Sequence, residues 1–286
     1  MRWDGNRESE NVEDRRGGSA GGGGRIGGRS IGIGTVLVAV VASYFLGVDP
    51  GMVLGMLGGG GSPVATAPAN TGQAPANDEM TRFVRTVLAD TEDVWTAQFR
   101  GANGPYAAPR LVLFSGSTPT ACGTGQTATG PFYCPGDQKV YIDLRFYQVM
   151  QQRFGVSGDF AQAYVIAHEV GHHVQNLMGV MEKTDALRRR SSEAQANAIS
   201  VKVELQADCF AGLWAHHSKI KLDPGDVEEA MNAAHAIGDD AMQQRSQGHV
   251  VPDSFTHGTS AQRMAWFKRG MDSGQVSACN SFAEGG

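Results

Sequence analysis

Lysine and arginine are missing from one long stretch of the chain: neither occurs between Arg29 and Arg82. Cysteine is scarce, with four in 286 residues, and no two stand at C-x-x-C spacing. That removes the usual sequence mark of a cysteine-ligated metal. Charged residues make up only 19% and the formal net charge is -5. A nucleic-acid partner needs a basic excess, so none is expected, and bulk disorder is not indicated either. Glycine is abundant, 39 residues, but it is concentrated toward the N-terminal end. The distribution predicts a flexible lead followed by one ordered region.

The lead divides into three parts. Residues 1–30 carry six arginines and the low-complexity run "RRGGSAGGGGRIGGR", and read as a Gly/Arg-rich tail that forms no core. Residues 31–48, "IGIGTVLVAVVASYFLGV", contain no charge. As a helix they would reach about 27 Å, close to the hydrocarbon thickness of a bilayer. The long leader before them and the lack of a clear A-x-A site directly after them favour an uncleaved signal anchor over a cleaved signal peptide. Residues 49–79, rich in Gly, Pro, Ala and Ser, read as a flexible linker. Arg25 and Arg29 precede the span, so the positive-inside rule puts the N-terminus in the cytoplasm. Everything after Val48 is then expected outside, periplasmic or extracellular, on a single-pass membrane protein. The folded domain is expected over 80–286, long enough for one good core.

Four cysteines agree with an exported domain. Three pairings are possible. Local closure of the turn-rich "CGTGQTATGPFYC" favours Cys122–Cys134, leaving Cys209–Cys279. Within the domain, "RLVLFSG" and "KVYIDL" read as short strands. Helices are expected over "MTRFVRTVLADTEDVWTAQF", "RFYQVMQQRF", residues 159–178, residues 192–218, a segment capped by Asp223 with Pro224 at its first position, and "TSAQRMAWFKRGM". Strands first and helices later predict an α+β fold, mainly helical with a small sheet.

The motif helix carries "AYVIAHEVGHHVQN", residues 163–176. A buried Glu costs several kcal/mol, on the order of a lost ion pair, unless something pairs with it. His168 and His172 stand four apart and therefore share one helical face, with Glu169 beside them. Zinc (Zn2+) takes neutral imidazole nitrogens at about 2.0–2.1 Å, and two of them are half a tetrahedral site. The downstream "VELQADCFAG" supplies Glu204 and Asp208, again four apart. Glu204 is the candidate third ligand. Asp208 is the candidate partner for the far nitrogen of a ligand histidine. Glu169 is the candidate general base. His257, in "FTHGTSAQR", is the candidate oxyanion donor. His173 lies about 100° around the helix from His172 and is not a ligand candidate; His216, His217, His235 and His249 read as solvated or capping residues.

H-E-x-x-H followed on the next long helix by E-x-x-x-D resembles the gluzincin arrangement. More closely, the chain resembles the neutral zinc metallopeptidases of bacteria. The matching stretches are "MRWDGNRESENVEDRR", "CGTGQTATGPFYCPGDQKVYIDL", "AHEVGHHVQNLMG", "ELQADCFAG" and "HGTSAQR". The resemblance implies a zincin-like metallopeptidase domain and a peptide or protein substrate. By the same analogy "KVYIDL", residues 139–144, would be the strand that pairs with an extended substrate. The reading is thus a membrane-anchored zinc peptidase acting on extracytoplasmic proteins or peptides. Its rival is a non-hydrolytic, membrane-anchored zinc-binding module of the cell envelope. Glu169 separates the two, because a structural site has no use for a base.

Overall fold

The computed structural model describes residues 1–16, 78–100, 104–127 and 130–283. The anchor expected at 31–48 lies outside the described residues, as does nearly all of the linker. Among the described residues no helix is long and apolar enough to cross a membrane.

A four-stranded sheet is ordered β1-β2-β6-β5, with β1 Val12–Asp14, β2 Arg110–Leu113, β5 Phe132–Cys134 and β6 Lys139–Ile142. The first three strands are parallel, and β5 runs antiparallel to β6. Alternation along the strands sorts their side chains. Leu111, Leu113, Tyr133, Val140 and Ile142 enter the main core, whereas Val112, Cys134 and Tyr141 join a smaller cluster with Phe114. Phe132 packs against that second cluster. The hairpin of β3 (Ser117–Thr120) and β4 (Gly123–Gln126) lies over Phe132: a Cβ on Gly125 would come within 2.4 Å of its ring.

Helices supply the rest. The first, α1 (Glu79–Phe99), starts where the Asp78 side chain accepts from Thr81 N, and it buries Phe83, Val84, Val87, Leu88 and Trp95. After α2 (Arg145–Phe154), the motif helix α3 (Asp159–Leu177) begins behind Gly158, whose φ is 113°. Every residue of α3 from Ala163 to Gln175 is buried. A short α4 (Val180–Arg188) leads to α5 (Glu193–His217), which opens with a reciprocal capping box between Ser192 and Gln195. The last long helix, α8 (Ser260–Ser273), is boxed in the same way by Thr259 and Gln262. The expected mainly helical α+β fold with a small sheet is present.

Three expectations are corrected. First, the domain does not begin at residue 80. Residues 1–16, read as part of a coreless tail, are built into it: β1 pairs with β2, Ser9 is buried, and Trp3 packs edge-on against Phe83 at 5.4 Å. Strand pairing, ion pairs and the packing of Met1, Trp3 and Val12 against the core hold them there, and none of these shows as apolar periodicity in the sequence. Second, the helix expected from Asp223 starts at Asp226 and breaks in two. Asp223 N instead donates to the Asp226 carboxylate at 2.7 Å, closing a turn through Gly225. α6 (Asp226–Ala236) then gives way to α7 (Asp239–Gln247) at Gly238, where a Cβ would come within 2.4 Å of Ser260 N. Third, "KVYIDL" is not an edge strand. β6 is hydrogen-bonded on both sides, by β2 and β5, so no substrate strand can add to it. The edge is β5.

Candidate metal centre

One glycine sets the geometry of the site. Gly171 lies inside the H-E-x-x-H, and a Cβ there would come within 3.0 Å of Ala207 O and 3.2 Å of Ala207 Cα. Its lack of a side chain lets α3 and α5 approach closely enough for their polar residues to meet. His168 Nε2 lies 3.1 Å from His172 Nε2 and 3.2 Å from Glu204 Oε2. His172 Nε2 lies 3.5 Å from Glu204 Oε1. Ligands held at the zinc–nitrogen distance on a tetrahedron stand about 3.3–3.4 Å apart. The two imidazole nitrogens and the Glu204 carboxylate therefore span a zinc-sized face, and this donor set leaves one position open.

Each ligand imidazole is held from behind. His168 Nδ1 is 2.8 Å from Asp208 Oδ1, and His172 Nδ1 is 2.8 Å from Gln175 Oε1. Both histidines therefore turn Nε2 to the centre. Gln175 is fixed in turn by donating to Val203 O at 2.7 Å and to Gln206 Oε1 at 3.1 Å. Gln206 donates to Cys279 O at 2.9 Å, which ties this support to the Cys209–Cys279 disulfide. Asp208 has no solvent exposure and accepts from Tyr164 Oη at 2.6 Å, Arg263 Nε at 2.8 Å and Arg263 Nη2 at 2.9 Å. Arg263 reaches it because α5 and α8 touch through their backbones: Cβ atoms on Gly212 or Gly270 would come within 1.9 Å of carbonyl oxygens across the contact.

The electrostatics follow from burial and these pairs. Burial opposes ionisation of Asp208, but Arg263 and His168 outweigh it and hold its pKa at about 2. Burial likewise opposes a charge on His168, yet Asp208 and Glu204 raise its pKa to about 10. A cation at Nε2 would take the place of that proton. Burial resists a charge on Glu204 as well, but the two imidazoles hold its pKa well below the usual carboxylate range. Glu169 is different: it is 7% exposed, and burial raises its pKa above 4.5 against the pull of His172 and His168. A carboxylate shifted upward accepts a proton more readily than an ordinary one, which suits a group that takes and returns one.

His257 stands at the margin. Its Nδ1 is 3.2 Å from Asp239 Oδ1, and its backbone N donates to Asp239 Oδ2 at 2.6 Å. Burial lowers its pKa, while Asp239 and the charge of Glu204 raise it more. The imidazole is thus fixed beside the centre without contacting it. His173 faces away. Its Nδ1 is 3.1 Å from Tyr133 Oη and its Nε2 is 2.7 Å from Ala107 O, which pins the edge strand β5 to the motif helix. His216 and His217 bind Met271 O and Gly274 O, at the end of α8.

Reading by sequence brought His168, Glu169, His172, Glu204 and Asp208 to one place. It missed Tyr164, Gln175, Asp239 and Arg263. Helical spacing carried a signal for two of them: Tyr164 is four before His168, and Gln175 is three after His172. Arg263 and Asp239 lie far along the chain and carried none. Both disulfides, Cys122–Cys134 and Cys209–Cys279, are formed as expected. A second acidic group, Asp159, Asp226 and Glu229, is close enough to hold a cation. The chain supplies one itself, the Met1 ammonium at 2.9 Å from Asp159 and 3.2 Å from Asp226.

A family model described as "Putative neutral zinc metallopeptidase" matches residues 1–282. The chain belongs to that family. It is 51% identical over 293 residues, with 99% of each chain covered, to the uncharacterized protein YpfJ of Escherichia coli K12. It is 41% identical over 260 residues to the uncharacterized protein Mb2605 of Mycobacterium bovis, covering 84% of this chain and 85% of that one. No solved structure matches the chain. The family match spans residues 1–16 as well as the centre, in agreement with one folded unit.

Proposed function

We propose that the chain is a zinc-dependent peptidase that hydrolyses peptide bonds of proteins or peptides. The convergence of His168, His172 and Glu204 on one point, with the buried Glu169 on the same helix, carries this reading. When bound, zinc supplies Lewis acidity and makes water at the open position more acidic. Glu169, poised by burial, takes a proton from the attacking water and returns it to the leaving amine. His257, oriented by Asp239, is the donor assigned to the developing oxyanion. Asp208, Tyr164 and Arg263 keep His168 in the tautomer with Nε2 inward, and Gln175 does the same for His172. The edge of β5 has no strand beside it among the described residues. Together with the Tyr133–His173 contact to the motif helix, this supports β5 as the strand that aligns an extended substrate. The uncharged run 31–48 supports association with a membrane.

Glu169→Gln tests the reading. It keeps size and packing and removes the proton acceptor. Elemental analysis is expected to find about one zinc per chain in both proteins, with cleavage of a peptide library or casein in the wild type and its collapse in the variant. Zinc retained with no cleavage by the wild type would point to the non-hydrolytic module instead. Equal cleavage by both proteins would remove Glu169 as the base.

A further inference from the structure

The described segments on either side of residues 17–77 end side by side. Arg16 Nη1 lies 2.9 Å from Asp78 Oδ2, and Arg16 Nη2 lies 2.7 Å from Thr81 Oγ1. The Arg16 side chain is only 7% exposed. Around this junction the first sixteen residues are held along their length. Leu111 N donates to Asn11 O at 2.8 Å and Arg15 N to Leu113 O at 2.7 Å, extending the β1–β2 ladder at both ends. Ser9 and Asn11 both donate to the buried Glu92, at 2.5 and 2.8 Å. Arg7 bridges Glu92 and Asp93, and Arg2 meets Asp223.

We infer that residues 1–16 and 78–283 occupy the same side of any membrane the chain meets, so that a single crossing between them is excluded. The hydrocarbon core of a bilayer is about 30 Å thick. A single crossing by residues 31–48 would place Arg16 and Asp78 on opposite faces of it, yet they form an ion pair. A strand ladder cannot span a bilayer either. One exposed ion pair would decide little, at about 0–1 kcal/mol. Here the same segment supplies the outer strand of the sheet and the partners of a buried glutamate, and stripping it off would leave Glu92 buried without them.

Four of the six arginines before the uncharged span are already used. Arg2, Arg7, Arg15 and Arg16 each pair with an acidic side chain of the folded unit. Only Arg25 and Arg29 remain for the positive-inside rule. The two disulfides belong to an oxidising compartment, so the shared side is the outer one.

Single cysteines read this directly, because the paired native cysteines leave no free thiol among the described residues. Glu10→Cys and Leu187→Cys, both at exposed positions, would be made separately in the full chain. Each is treated in intact cells with a small membrane-impermeant maleimide, and again after lysis. Both are expected to be labelled before lysis. Protection of both until lysis would keep the two segments together but move them to the cytoplasmic side. Labelling of one with protection of the other would overturn the inference.

Discussion

Asp208 Oδ1 lies 2.8 Å from His168 Nδ1, and among the described residues it is the only acceptor at that nitrogen. The carboxylate is buried between the imidazole and Arg263, so it serves both the metal centre and the packing of α5 on α8. Asp208→Ala is expected to weaken zinc binding about 10–100-fold by freeing the ring of His168. It should also destabilise the protein by about 3–5 kcal/mol, because Arg263 would be left charged and unpaired in the core. Zinc titration and denaturant unfolding measure the two effects separately.

Glu204→Ala should behave differently from Glu169→Gln. Loss of a ligand is expected to cut zinc occupancy and, because binding energy adds to folding energy, to lower the melting temperature measured with zinc present. The melting temperature in chelator should change much less. Full zinc retention in Glu204→Ala would exclude it as the third ligand.

Gly171→Ala adds one methyl where Ala207 O is 3.0 Å away. Overpacking of this kind costs about 1–3 kcal/mol. Since the two helices carry the ligands between them, zinc affinity is expected to fall along with the melting temperature. Unchanged affinity in a folded Gly171→Ala protein would show that the close approach of α3 and α5 is not what sets the site.

The two disulfides should be unequal. In the loop-entropy picture, removing Cys122–Cys134 costs about 3 kcal/mol and removing Cys209–Cys279 about 4 kcal/mol, for separations of 12 and 70 residues. Only the second bond is connected to the centre, through Cys279 O, Gln206, Gln175 and His172. Serine pairs at Cys209 and Cys279 are therefore expected to lower zinc affinity, and serine pairs at Cys122 and Cys134 to leave it unchanged.

Acid should loosen the N-terminal strand. Glu13 hydrogen-bonds Arg15 and Lys139, which lower its pKa from 4.5 to about 2. A depressed carboxylate stabilises the fold above its unfolded value and loses that contribution as pH falls through its folded one. Its share is complete above about pH 5 and fades between roughly pH 4.5 and 2; Glu13 is part-exposed, so the share is modest. Hydrogen exchange at Arg15 N, bonded to Leu113 O, should rise over that window after correction for intrinsic rates, and Lys139→Met should narrow the window.

What the sequence determined by itself was local. The four-residue spacing of His168 and His172 and of Glu204 and Asp208 fixes a shared face wherever a helix forms, and the apolar run before His168 ensures that it does. Capping residues such as Asp78, Ser192 and Thr259 act within a few positions of themselves and mark helix starts for the same reason. The tertiary structure decided what depends on distant partners. A three-residue strand at Val12–Asp14 has no periodicity to reveal it and exists only because β2 lies alongside. The interior place of Lys139–Ile142 is set by neighbours on both sides. Gly171 shows nothing in sequence of the backbone that must pass over it, and Arg263 becomes a support for His168 only once α8 has brought it, across 55 residues of chain, to Asp208. Side-chain periodicity is a property of one element, whereas a metal centre is a meeting of several.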